Sequence, residues 1–144
     1  MAVFLGTVRN VGHIGHSRRT LLDLYVYDDG ILVGRSALTS MVLKLTVVGR
    51  EAGDDLDRRR DGSIGATDRN DLLAAHEDNR FIDTSAISAI RYTHPWFPPI
   101  YRIDLELADG TRERFEWKRL NNEPKSVARI LTQAFGDRLT TERI

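Results

Sequence analysis

The sequence predicts a single α+β domain over residues 1–144. About seven antiparallel strands carry one C-terminal helix packed on the sheet, with an insertion at 37–78 between the third and fourth strands. Three observations predict it. Residues 21–35 place two apolar, β-rich runs on either side of Asp28-Asp29-Gly30, which is hairpin chemistry. Residues 101–117 repeat the pattern around Asp109-Gly110. The segment 124–135 then switches to the 3.6-residue period of an amphipathic helix.

Taken in order, a first strand is expected from about Val3 to Arg9. In the following hairpin, Asp tolerates the turn and Gly30 is expected at positive φ. Leu38, Met41, Val42, Leu45 and Val48 have helical spacing, with Leu43 and Val47 off the main stripe. Residues 49–69 are rich in charge and glycine and almost without apolar side chains, the composition of a mobile linker. A short helix from about Asp68 to His76 carries Leu72 and Leu73. Short strands are expected at 79–83 and 87–94, joined by a turn at Thr84-Ser85.

Alternation is strict in the second hairpin, where Ile103, Leu105 and Leu107 share one face. Residues directly opposite share a face, so Ile103 should pair with Phe115 and Tyr101 with Trp117. That register requires a type I turn with Gly110 as the left-handed bulge residue. It also sets Glu113 beside Leu105 and Phe115 on the apolar face, where a rim position or an arginine partner would accommodate it. In the final helix Asn122 is expected to cap, Pro124 to occupy the first turn and Gly136 to end it. Val127, Ile130, Leu131, Ala134 and Phe135 form the buried stripe.

Composition narrows the function. There is no cysteine, which excludes disulfides and thiolate-held zinc or iron–sulfur clusters. Lys+Arg and Asp+Glu both total 21, a balance that argues against general nucleic-acid affinity. Arginine outnumbers lysine by 18 to 3, as codon bias in a GC-rich genome would produce. The apolar start has no leading positive charge, and the longest apolar stretch, Met41 to Val48, falls far short of the ~20 residues of a membrane span. A soluble, cytoplasmic protein is expected.

Seven strands followed by one amphipathic helix resembles the element order of pleckstrin-homology-like (PH-like) domains. Residues 25–33 look like an early hairpin of bacterial PH-like and GRAM-like proteins, and residues 81–90 are similar to their apolar strand, polar turn and strand. Residues 105–111, the aromatic strand after them and the final helix complete a resemblance covering about 20–36 and 79–139. It implies a bent antiparallel β-barrel plugged at one end by the helix. Phosphoinositide-binding members place Lys and Arg around their first hairpin loop. The corresponding loop is taken here as the acidic Asp28-Asp29-Gly30, which would repel phosphate.

Among candidate sites, the stretch His94-Pro95-Trp96-Phe97-Pro98-Pro99 is stiffened by prolines, and Trp96 and Phe97 could anchor a partner or cover a barrel end. The apolar positions Leu38, Met41, Val42 and Leu45 need covering, either by the barrel or by a partner or second copy. His13 and His16 have a His-x-x-His spacing but no further ligands, and are expected in a polar loop between early strands. Asp54, Asp55, Asp57 and Asp61 lack the calcium-loop pattern. No metal, cofactor or catalytic constellation is expected. The sequence reading is a non-catalytic protein-interaction or scaffold module that self-associates or binds an unknown protein; the alternative is a peripheral lipid-binding domain on a membrane surface.

Overall fold

The structure is a computed structural model that describes residues 2–14, 21–35, 69–75, 77–94, 100–118 and 122–142. In chain order the elements are β1 (Phe4–His13), β2 (Leu21–Tyr27), β3 (Gly30–Arg35), α1 (Arg69–Ala74), β4 (Arg80–Asp83), β5 (Ile87–Thr93), β6 (Ile100–Leu107), β7 (Arg112–Lys118), α2 (Pro124–Phe135) and β8 (Leu139–Glu142). Single 3-10 turns at Thr84–Ala86 and Gly136–Arg138 join β4 to β5 and α2 to β8.

These strands make one eight-stranded sheet in the order β4-β3-β2-β1-β7-β6-β5-β8. Seven strands were expected and β8 is the addition. It lies parallel to β5, with Ile90 opposite Leu139 and Thr93 opposite Glu142, whereas every other pair is antiparallel. Four residues are too few to announce a strand by pattern, and this one forms because the otherwise free edge of β5 supplies its partners. The hydrogen-bonded order is open, with β4 and β8 as its edges, rather than a closed seven-stranded barrel.

The second hairpin has the expected register. Ile103 opposes Phe115, Tyr101 opposes Trp117, and Gly110 turns the chain at φ 89°. Its N–H bonds the Leu107 carbonyl at 2.9 Å, and the Thr111 hydroxyl and N–H both donate to Asp109, holding that carboxyl below the usual range. The first hairpin differs. Asp28 and Asp29 form its turn, and Gly30 already pairs with Tyr27 as the first residue of β3, without positive φ. Glycine is needed there for another reason: a Cβ would overlap the Ile82 carbonyl oxygen and the Phe81 ring on β4.

β1 is longer than expected. Irregularities at Phe4/Gly6 and Val8/Val11 bend it, and Asn10 adopts φ 55° within the second. The strand therefore continues to His13, which pairs with Phe115 of β7. Helix α2 packs Val127, Ile130, Leu131 and Phe135 into the main core with Val8, Leu24, Val26, Ile31, Ile90, Ile103 and Phe115. A Cβ at Gly6 would overlap Ile130, so that glycine lets the helix close on β1. Pro124 sits in the first turn as expected, and Gly136 ends the helix at φ 53°. The cap residue is Glu123, not Asn122. Asn122 instead clamps β1, accepting from the Arg9 N–H at 2.7 Å and donating to the Arg9 carbonyl at 2.9 Å.

Candidate interaction surfaces

The two ends of the sheet's outward face are treated differently. On β2, Leu24 and Val26 point to the main core while Tyr25 and Tyr27 point away from it. On β3, Leu32 points outward with them. Both faces of this part of the sheet are nonetheless buried, because α1 lies over the outer one. Leu72 and Leu73 pack with Phe4 and Phe81 around Tyr25, Tyr27 and Leu32. Arg69 shares their helix face by its i, i+3 and i+4 spacing. Its Nη1 donates to both carboxylate oxygens of Asp29, at 2.7 and 2.9 Å. The guanidinium lies 4.1 Å from the Phe81 ring centroid and 5.2 Å from that of Tyr27. Phe4 meets Tyr27 edge-on at 5.4 Å. One acid and two rings thus form a box around a guanidinium, the chemistry that suits arginine best. The Tyr27 hydroxyl is buried inside this cluster with no hydrogen-bond partner, and burial raises its pKa against the opposing pull of Arg69.

A second cluster joins three strands. His13 stacks on Phe115 with centroids 4.7 Å apart, and its Nε2 lies 3.1 Å from a Glu113 carboxylate oxygen. Arg80 of β4 grips both oxygens of the same carboxylate. Glu113 is therefore where the sequence placed it, next to Phe115, and an arginine partner accommodates it. His13 is a buried strand residue rather than part of a polar loop, because β1 runs four residues further than expected. The cluster ties the β4 edge to β7, its fourth neighbour along the sheet.

The outward face of β5–β8 carries charges in rows. Arg91, Asp104 and Arg114 are aligned across β5, β6 and β7, with Arg114 Nε 2.7 Å from Asp104. The next row aligns Glu142, Thr93, Arg102 and Glu116, with Arg102 3.4 Å from Glu116 and Arg91 reaching Glu142 at 3.6 Å. A groove of about 390 Å³ opens here, lined by Ile14, Ala89, Arg91, Arg112, Arg114 and Thr140. Ile14 is 51% exposed in it.

Inside the sheet, Tyr92, Tyr101 and Trp117 stack at 6.0–6.5 Å. The Tyr92 hydroxyl is buried without a hydrogen-bond partner, and burial, with a smaller contribution from Tyr101, pushes its pKa far above the ordinary phenol range. The unfolded chain ionises this phenol at a lower pH than the folded one. Stability is therefore complete below the ordinary phenol range and lost as pH rises beyond it. Tyr92→Phe removes an orphaned hydroxyl and should raise stability by up to about 1 kcal/mol at neutral pH. It should also flatten the alkaline fall, read as melting temperature against pH.

Of the residues singled out from the sequence, Trp96, Phe97, Leu38, Met41, Val42 and Leu45 lie outside the described residues, as do His16 and the aspartates from Asp54 to Asp61. Among the described residues no group of three or more His, Cys, Asp or Glu is placed to hold a metal ion. The acidic Asp28-Asp29 turn joins β2 to β3, so it is not the first hairpin loop. The segment between β1 and β2, with Arg18 and Arg19, lies outside the described residues. Sequence reasoning missed the Arg69–Asp29 box. The unbroken apolar run Leu24-Tyr25-Val26-Tyr27 was the available signal, since a strand covered on both faces loses its polar alternation.

No family model matches the chain, and no curated protein matches it. Among solved structures it is similar to a chain of the "Structure of the Spt16D Pob3N heterodimer", with a TM-score of 0.50 at 7% sequence identity, over 95% of this chain and 53% of that one. The chain spans about half the length of that neighbour. The likeness supports a PH-like fold and, at that identity, concerns the fold alone. No described helix is long and apolar enough to cross a membrane.

Proposed function

We propose that this chain is a non-catalytic protein-interaction module of PH-like fold, which pairs with a second copy or a protein partner through the outward face of β5–β8. One contrast carries the reading. The outward face of β2–β4 is covered by α1, whereas that of β5–β8 bears a groove with half-exposed Ile14 in it. Its rows carry arginines and acids side by side, which a partner surface of complementary charge would match. A solved structure of similar fold is a heterodimer by its title, which fits a pairing role. Trp96 and Phe97, with Leu38, Met41, Val42 and Leu45, belong to the same proposal as further apolar anchors.

Light scattering over a wide concentration range tests it. The mass should rise above that of the monomer, and Ile14→Asp should hold it at the monomer without lowering the melting temperature. A monomer at every concentration would remove self-association. Co-sedimentation with anionic vesicles that fades as salt is added would favour the lipid-binding alternative instead.

A further inference from the structure

From the α1 contacts we infer that the outer face of β2–β4 is a docking groove for an arginine-bearing helical segment of a protein partner, and that α1 fills it in cis. This deepens the interaction reading and rests on it, but it concerns the other end of the sheet's outer face. What the groove holds shows what it recognises: a guanidinium on Asp29 between the Phe81 and Tyr27 rings, and two leucines one turn further on, over Tyr25 and Leu32. The matching segment is Arg-x-x-Leu-Leu on one helix face.

Three observations mark the cis segment as replaceable. The helix has six residues and buries none of them fully, while Tyr25, Tyr27 and Leu32 beneath it are buried. A helix of that length has little stability of its own, so its persistence depends on the groove. Its ion pair is partly open to solvent, with Arg69 29% and Asp29 39% exposed. The Tyr27 hydroxyl, buried under it, finds no partner, so the cis occupant leaves one polar group of the groove unsatisfied that a longer partner could serve. Opening therefore belongs to the low-energy end of the domain's fluctuations, and an outside segment of the same pattern competes for the same contacts.

A labelled peptide of residues 67–78 is the probe. Its polarisation is followed against the wild-type domain and against a domain freed by Arg69→Ala, Leu72→Ala and Leu73→Ala. Saturable binding is expected to the freed domain and at least about tenfold weaker binding to wild type, where α1 competes. Adding Asp29→Ala to the freed domain should weaken binding about tenfold, as should alanine for the peptide's own arginine. Should the triple variant not fold, Arg69→Ala alone, which leaves both leucines in place, gives the comparison at the Asp29 end of the groove. A folded, freed domain that does not bind the peptide overturns the inference. So does binding indifferent to Asp29 or to the peptide's arginine. Light scattering on Ile14→Asp reads the β5–β8 end, so the two readings fail separately.

Discussion

Phe115→Ala should lower the unfolding free energy by about 3–5 kcal/mol and the melting temperature by about 10 °C or more. Phe115 is fully buried and occupies the junction of the sheet. It opposes Ile103 of β6 on one side and His13 of β1 on the other, in the pairing that joins β1–β4 to β5–β8. Its ring also stacks on His13, whose Nε2 faces Glu113. Truncation opens a cavity and removes the surface that holds the imidazole against the carboxylate. A conservative Phe115→Leu restores most of the volume but not the stack. It should recover most of the stability while letting His13 and Glu113 move, visible as exchange broadening of the His13 ring protons. A loss under 1 kcal/mol for the alanine variant would mean that this junction is not packed as described.

What could be read from the sequence was whatever depends on neighbours along the chain. The β6–β7 register followed from strict alternation, and with it the bulge at Gly110 and the seat of Glu113. The buried stripe of α2 followed from its period. What escaped depends on partners distant in sequence. Strand β8 exists because β5 has a free edge, and nothing within residues 139–142 says so. β1 was cut short because strand pattern gives no notice of a bulge: Asn10 at φ 55° lets the chain continue to His13, which moved that histidine from an expected loop into a buried stack. Arg69 and Asp29 lie 40 residues apart, and neither is distinctive alone. The box they make appears only when the insertion returns across β2 and β3. Asn122 misled in the opposite direction, since a good capping residue at the right place serves a partner 113 residues away.

Gly30→Val should cost about 3 kcal/mol, more than its position in a surface hairpin suggests. Its φ is ordinary, so backbone strain is not the cause. The cost is steric, and it falls on backbone. A Cβ at Gly30 would overlap the Ile82 carbonyl oxygen and stand 3.1 Å from the Asp83 Cα, within the pairing that holds β4 to β3. A flexible side chain could swing away, but a carbonyl in the ladder cannot do so without breaking Gly30–Asp83 pairing. The same Cβ would strike the Phe81 ring, one wall of the arginine box. Displacing that ring takes the platform from under the Arg69 guanidinium. Hydrogen exchange should therefore show two effects in Gly30→Val: faster exchange in β4, and release of α1 amides at denaturant levels where the α2 core stays protected. The Tyr27→Phe variant is the control, because it leaves ring, acid and arginine in place and removes only the orphaned hydroxyl. Its α1 should exchange as slowly as in wild type or more slowly. If α1 exchange in Gly30→Val matches wild type while β4 is disturbed, the helix is held by something other than the Phe81–Asp29 box.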